Sequence, residues 1–318
     1  MNWRLHKMNS LIPFICLGIG AAISWRGLPD SILKVFDWII NIALVILMLV
    51  IGLNIGTSPE VMNNLGGIGI SCVILSVAAI LTSALFVRIL EKTVLPLEET
   101  RKKFSGDNGD QNTKDSTFSP LIIIMPACIV IGIIVGWFVL HSVSETILDR
   151  ILTFSLILLY VGVGVSLGEN KEVFKYIKSL GLKILFLPLA IFLGSITGGL
   201  IVGLLLRIPL NYAVISTSGM GYYSLTGAMM TDYYGIEAGT YGFIVNVTRD
   251  VFTIILMPLL LKISKGSPIA AGAAGCMDTM LVPVSKAVGT ELGIVALISG
   301  TILTFVVPVW LPIAHMIF

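Results

Sequence analysis

Two carboxylates stand in apolar sequence, Asp250 within the run 241–261 and Asp278 within the Gly/Ala-rich stretch 270–284. A charged side chain at bilayer depth costs roughly 3 kcal/mol or more, so an acid kept there faces water, a counter-charge or a transport path. Asn246 precedes Asp250 by four residues and Thr253 follows it by three, which puts all three on one face of an otherwise apolar helix. Arg249 is about 100° around that helix from Asp250. From there a guanidinium can grip a neighbouring or a substrate carboxylate through two parallel N–H···O bonds. The plainer alternative is a structural ion pair with Asp250 or Asp278, since buried charges are normally paired. Two acids close together titrate as a coupled pair, and protons then compete with any cationic ligand for the same oxygens.

A second stretch also carries chemistry. Ser218-Gly219-Met220-Gly221-Tyr222-Tyr223-Ser224-Leu225-Thr226-Gly227 combines glycines that permit a turn with hydroxyls that can satisfy freed backbone groups. Tyr222 or Tyr223 can stack on an ammonium group or anchor at the lipid interface. The third glycine of a dinucleotide fingerprint is missing, and no strand pattern precedes the stretch. His6, His141 and His315 are scattered, and Cys16, Cys72, Cys128 and Cys276 fall in separate apolar segments. Neither a metal site nor a disulfide framework follows from them, so no cofactor is implied.

The elements that position these residues belong to a membrane. The chain has 318 residues, 56% hydrophobic and only 12% charged, with a mean hydropathy of +0.99. That balance excludes a large aqueous domain, and a net charge of +2 gives no reason to expect nucleic acid. Apolar windows of roughly 20 residues predict eight crossings, near 8–25, 36–56, 66–89, 119–140, 147–168, 183–206, 238–261 and 292–316. Arg4 and Lys7 before the apolar stretch 11–23 resemble a signal peptide, but no A-x-A site follows, so the stretch reads as the first membrane helix. Segments 211–233 and 266–288 are too polar and glycine-rich for lipid-facing helices and too apolar for loops. They read as re-entrant hairpins or broken helices buried against protein.

With the N-terminus outside, Arg26, Lys34, the six basic residues between Arg88 and Lys114, the four between Lys171 and Lys183, and Lys262 and Lys265 fall on the cytoplasmic side. Arg4, Lys7, Arg150 and Arg207 fall outside, an asymmetry that predicts an N-out, C-out arrangement. The polar stretch 91–118 reads as a flexible cytoplasmic linker between an N-terminal three-helix module, 1–90, and a C-terminal module, 119–318. Gly52-Leu53-Asn54-Ile55-Gly56, Glu60-Val61 and Gly69 are echoed 112 residues later by Gly164-Val165-Ser166-Leu167-Gly168, Glu172-Val173 and Gly181. Three crossings separate the copies, so they lie inverted, a recurring construction of secondary transporters; helix-packing glycines would give the same echo. The expected fold is an all-α integral membrane protein of inverted repeats, with hairpins 211–233 and 266–288 forming the site.

The residues from Ser218 to Gly227, the pentapeptide Asn246-Val247-Thr248-Arg249-Asp250, and the stretch from Cys276-Met277-Asp278 to Pro283 resemble the lysine exporter (LysO) family of bacterial and archaeal membrane proteins. The resemblance is dense in the C-terminal half and weak before residue 120. It implies eight spans with both termini outside, and export of lysine and its toxic analogue thialysine in exchange for protons. It also implies that two intramembrane acids are required, matching Asp250 and Asp278, although the family position matching Asp250 carries Glu. Lysine brings two ammonium groups and a carboxylate, so its site needs buried anions plus a cation or a helix N-terminus. Asp250 and Asp278 supply the anions, Arg249 or a hairpin-tip amide the positive partner, and Asn246, Tyr222, Tyr223 and Ser224 complete the candidate site. Partners are then the basic amino acid, protons and the lipid bilayer, with a homo-oligomer compatible. A monovalent cation/proton antiporter would use the same acids. An intramembrane aspartyl protease also needs two aspartates, but Gly275-Cys276-Met277 replaces the Gly-x-Gly that precedes the aspartate in that family.

Overall fold

The computed structural model describes residues 12–24, 29–95, 97, 121–138, 145–169, 182–277 and 279–318, and those residues are helices joined by turns. Three helices form a first group: α1 (Ile12–Ser24), α2 (Asp30–Thr57) and α3 (Pro59–Thr93). A second group follows with α4 (Leu121–Phe138), α5 (Glu145–Glu169) and α6 (Phe186–Leu206), the last preceded by the 3-10 turn Leu182–Leu185. Proline fixes several boundaries. Pro59 opens α3 in the first turn, where its missing N–H costs nothing.

The C-terminal part is built differently. α7 (Leu210–Thr217) and α8 (Tyr223–Tyr234) are separated by a turn, and α9 (Ile236–Ile255) leads into α10 (Met257–Ile263). The α9–α10 junction bends by 75°. Pro258 lies in the first turn of α10 and cannot donate back into α9, which accounts for the bend. α11 (Ser267–Gly272) runs into the 3-10 turn Ala273–Met277, then α12 (Leu281–Val288) and the long α13 (Thr290–Ile317) complete the chain.

Four helices carry stretches long and apolar enough to cross a membrane, Lys34–Thr57, Gly66–Thr93, Lys183–Leu206 and Leu292–Ile317, and the bent α9–α10 pair makes a fifth if it is one span. α1, α4 and α5 contribute shorter apolar stretches among the described residues. The chain is thus an all-helical, multi-pass membrane protein. Exposed Ile15, Trp38, Phe138, Phe154 and Leu205 face outward, as acyl chains require. The two awkward segments lie inside, with nearly all of 213–231 and 267–276 buried, which is where lipid tolerates broken helices.

Two pairs among the first six helices meet through glycines. A methyl group on Gly52 would stand 2.4 Å from the carbonyl oxygen of Ile129, and one on Gly132 would stand 2.6 Å from that of Leu49, so α2 and α4 touch backbone to backbone. Gly20 and Gly164 do the same for α1 and α5, at 2.1 Å from the Val161 oxygen and 2.3 Å from the Leu17 oxygen. Such small-residue contacts bring helices close where no hydrophobic drive exists. α3 and α6 meet through hydroxyls. Thr82 Oγ1 donates to the Gly194 carbonyl at 2.7 Å, and the Ser83 and Ser195 hydroxyls share a hydrogen bond at 3.1 Å, each pair 112 residues apart.

α3 continues through Glu91, which the sequence assigns to the linker. Its carboxylate accepts from the Gly266 amide at 2.5 Å and the Ser264 hydroxyl at 3.0 Å, fixing the turn before α11. The remaining linker residues at 98–118, and Glu172, Val173 and Gly181 of the sequence echo, lie outside the described residues.

Candidate functional site

Both broken segments depart from helical geometry at their breaks. Met220 and Gly221 take φ of 52° and 96° in the first, and Ala273 takes 45° in the second. Left-handed backbone costs a non-glycine residue roughly 1–2 kcal/mol, so surrounding contacts must hold Met220 and Ala273 in place. One such contact joins the breaks, because the Ala274 amide donates to the Met220 carbonyl at 3.0 Å.

Asn246 supplies another. Its Oδ1 accepts from the Gly221 amide at 2.7 Å, while Nδ2 donates to the Ser216 carbonyl at 2.9 Å and to Gly242 in its own helix at 2.7 Å. A backbone donor and a backbone acceptor flanking the break are thereby satisfied, as buried polar groups require. A methyl group on Gly219 would lie 2.7 Å from Nδ2, so glycine there permits the approach. Trp310 Nε1 of α13 steadies the same turn by donating to Ser218 Oγ at 2.9 Å.

One turn further along α9, the Asp250 side chain sits between the breaks and is 9% exposed. Thr279 Oγ1 donates to its Oδ2 at 3.1 Å. Its Oδ1 lies beside Gly221 and Gly275, where a methyl group on either would come within 3.3 and 3.2 Å. The carboxylate therefore contacts both broken segments at once.

Arg249 turns to the other side. Its side chain is 1% exposed; Nε donates to the Ala271 carbonyl and Nη2 to the Ala270 carbonyl, both at 2.9 Å. Nη1 donates to Ser195 Oγ at 2.9 Å and Nη2 to Ser83 Oγ at 3.4 Å. The guanidinium thus meets the carbonyl end of α11, where a cation is favoured, and ties it to α3 and α6.

A cavity of about 200 Å³ opens at the junction. Residues 221–224 and 274–275 form its polar wall, with backbone from both breaks. Opposite them are Ile40 and Leu44 of α2, Leu159 of α5 and Phe305 of α13.

The sequence profile described as Lysine exporter LysO matches residues 14–105 and 126–315. The chain belongs to the LysO lysine exporter family. Lysine exporter LysO of Escherichia coli (strain K12) is 31% identical over 156 residues, which make up 49% of this chain and 52% of that protein. A Haemophilus influenzae protein, provisionally named a lysine exporter, is 27% identical over 192 residues, 58% of this chain and 93% of its own length. The matched part thus spans about half the length of the Escherichia coli relative. No solved structure matches the chain significantly.

In this LysO-family chain the residues singled out from sequence fall into distinct places. Tyr222, Tyr223 and Ser224 line the cavity. Asp250 and Asn246 lie against the glycines of its wall, and Arg249 is bonded away from it. Asp278 lies outside the described residues; of its neighbours in sequence, Met277 lines the cavity and Thr279 bonds Asp250. Sequence reading missed Ser83 and Ser195, although extending the 112-residue echo beyond Gly69 and Gly181 would have paired them. It also missed the apolar wall, whose residues look like any others in their helices. Among the described residues no group of three or more His, Cys, Asp or Glu could hold a metal ion.

Proposed function

We propose that this protein is a secondary active transporter that exports L-lysine and close analogues such as thialysine in exchange for protons. The observation that carries the reading is the Asp250 carboxylate, buried where two broken helices meet beside a cavity, in a chain of the LysO family. A cationic side chain needs a buried anion, and an anion that also takes protons makes the two ligands exclusive. Asp278 is proposed as the second acid of the pair, on the strength of its place in sequence beside Thr279. Exclusive occupancy gives exchange once the site faces each side of the membrane in turn.

Alternating access has a natural frame in inverted repeats. Adding 112 to Gly20 and Gly52 gives Gly132 and Gly164, so the α1–α5 and α4–α2 crossings use corresponding residues. Ser83 and Ser195, bonded to each other, correspond in the same way. These contacts support two three-helix repeats related by a pseudo-two-fold axis near the serine pair. The broken segments with their following helices then make a second pair, each reaching its long helix through a glycine of similar backbone, Gly235 (φ 92°, ψ 178°) and Gly289 (φ 96°, ψ 158°). The basic residues of the loops support an N-out, C-out orientation in an inner membrane of eight spans.

Counterflow in proteoliposomes tests the reading. Vesicles preloaded with lysine should accumulate radiolabelled lysine, and ornithine or arginine in the lumen should show how far the preference extends. Accumulation driven by luminal sodium and not by any basic amino acid would replace this reading with monovalent cation/proton exchange.

A further inference from the structure

If the cavity accepts a basic amino acid, something in it must meet the carboxylate, and Arg249 is occupied elsewhere. The guanidinium is spent on Ala270, Ala271, Ser195 and Ser83. Among the described residues, none that line the cavity carries a charge. What the polar wall does hold is the start of α8, a twelve-residue helix whose cap residue, Tyr222, provides no side-chain hydrogen bond to the first-turn amides. A helix N-terminus attracts anions through its free amides and its dipole.

A second observation singles out this turn. Hydroxyls along the broken segment are committed to backbone carbonyls: Ser216 and Thr217 to Ala213, Ser218 to Ile215, Thr226 to Tyr222 and Thr231 to Gly227. Ser224 differs. Its side chain is 4% exposed, it lines the cavity, and its hydroxyl has no hydrogen-bond partner among the described residues. A hydroxyl that lines the cavity with no bond to the backbone can donate to a ligand's carboxylate.

We propose that the substrate carboxylate docks on the first turn of α8, accepting from the Ser224 hydroxyl and the adjacent amides, with the aliphatic stem lying along Ile40, Leu44, Leu159 and Phe305. The proposal rests on the exporter reading and deepens it: the ligand is an α-amino acid held by its carboxylate, not any diamine of the right length. Ser224 is then a specificity-determining residue.

The test compares L-lysine with 1,5-diaminopentane, which has the same stem and terminal ammonium but no carboxylate, and with lysinamide, whose carboxylate is neutralised. Each competes with radiolabelled lysine for the full-length protein in nanodiscs. The wild-type protein should prefer lysine to both by at least roughly tenfold, the value of a hydrogen bond to a charged group. Ser224→Ala should lower the lysine-over-diamine ratio by roughly the same factor, a change that a general packing defect would not produce. A wild-type protein that treats lysine and the diamine alike overturns the carboxylate site. So does a Ser224→Ala protein that binds lysine with an unchanged ratio. In either case lysine binding itself survives, so the exporter reading stands; absence of lysine binding in the wild type would remove both.

Discussion

At the scale of residues, Asp250 is set by helical period and Arg249 by tertiary partners. The Asn246–Asp250 stripe is legible in the sequence because residues four apart share a helix face, and both side chains do reach the breaks. The partners of Arg249 were not legible. Ser195 and Ser83 lie 54 and 166 residues away, and nothing local distinguishes a guanidinium that braces carbonyls from one that waits for a substrate. The roles predict different losses. Asp250→Asn keeps the size of the side chain and an acceptor for Thr279 but removes the charge, so proton movement driven by added lysine should fall at least tenfold, to the level of empty liposomes. A pH-sensitive dye in the lumen measures this, with a thermal melt unchanged within a few degrees. Persistent lysine-driven proton flux would remove Asp250 from the proposed exchange.

The elements show where composition suffices and where it does not. Among the described residues, apolar windows found every long helix, and glycine density with hydroxyls found the two broken segments, because such sequence cannot face lipid. The points of breakage depend on cross-chain bonds. Asn246 stabilises the first from 25 and 30 residues away, at Gly221 and Ser216. Asn246→Ala should therefore leave the Gly221 amide without its side-chain acceptor and cost about 1–3 kcal/mol. Hydrogen exchange read by mass spectrometry should show faster exchange at 218–223 than in α2 or α6 of the same variant; equal exchange throughout would mean the turn does not depend on Asn246. Glu91 is the opposite case. Its charge reads as solvated linker, yet the loop before α11 holds it, 173 to 175 residues away in sequence.

For the whole molecule, the first six helices pack against a C-terminal part that carries the breaks, and the cavity lies between Ile40, Leu44 and Leu159 of the first and residues 221–224 of the second. A site at such a boundary can change its exposure when one part moves against the other. The central claim is that lysine and protons compete for buried carboxylate, and linkage makes that competition reciprocal. Calorimetric titration of the purified protein with L-lysine, repeated across pH and in two buffers of different ionisation enthalpy, measures it directly. The predicted result is release of about one proton per lysine bound in the range where the carboxylate titrates, with the apparent Kd rising by up to about tenfold for each unit the pH is lowered there. Lysine binding with no proton release and a Kd constant across pH would contradict the account.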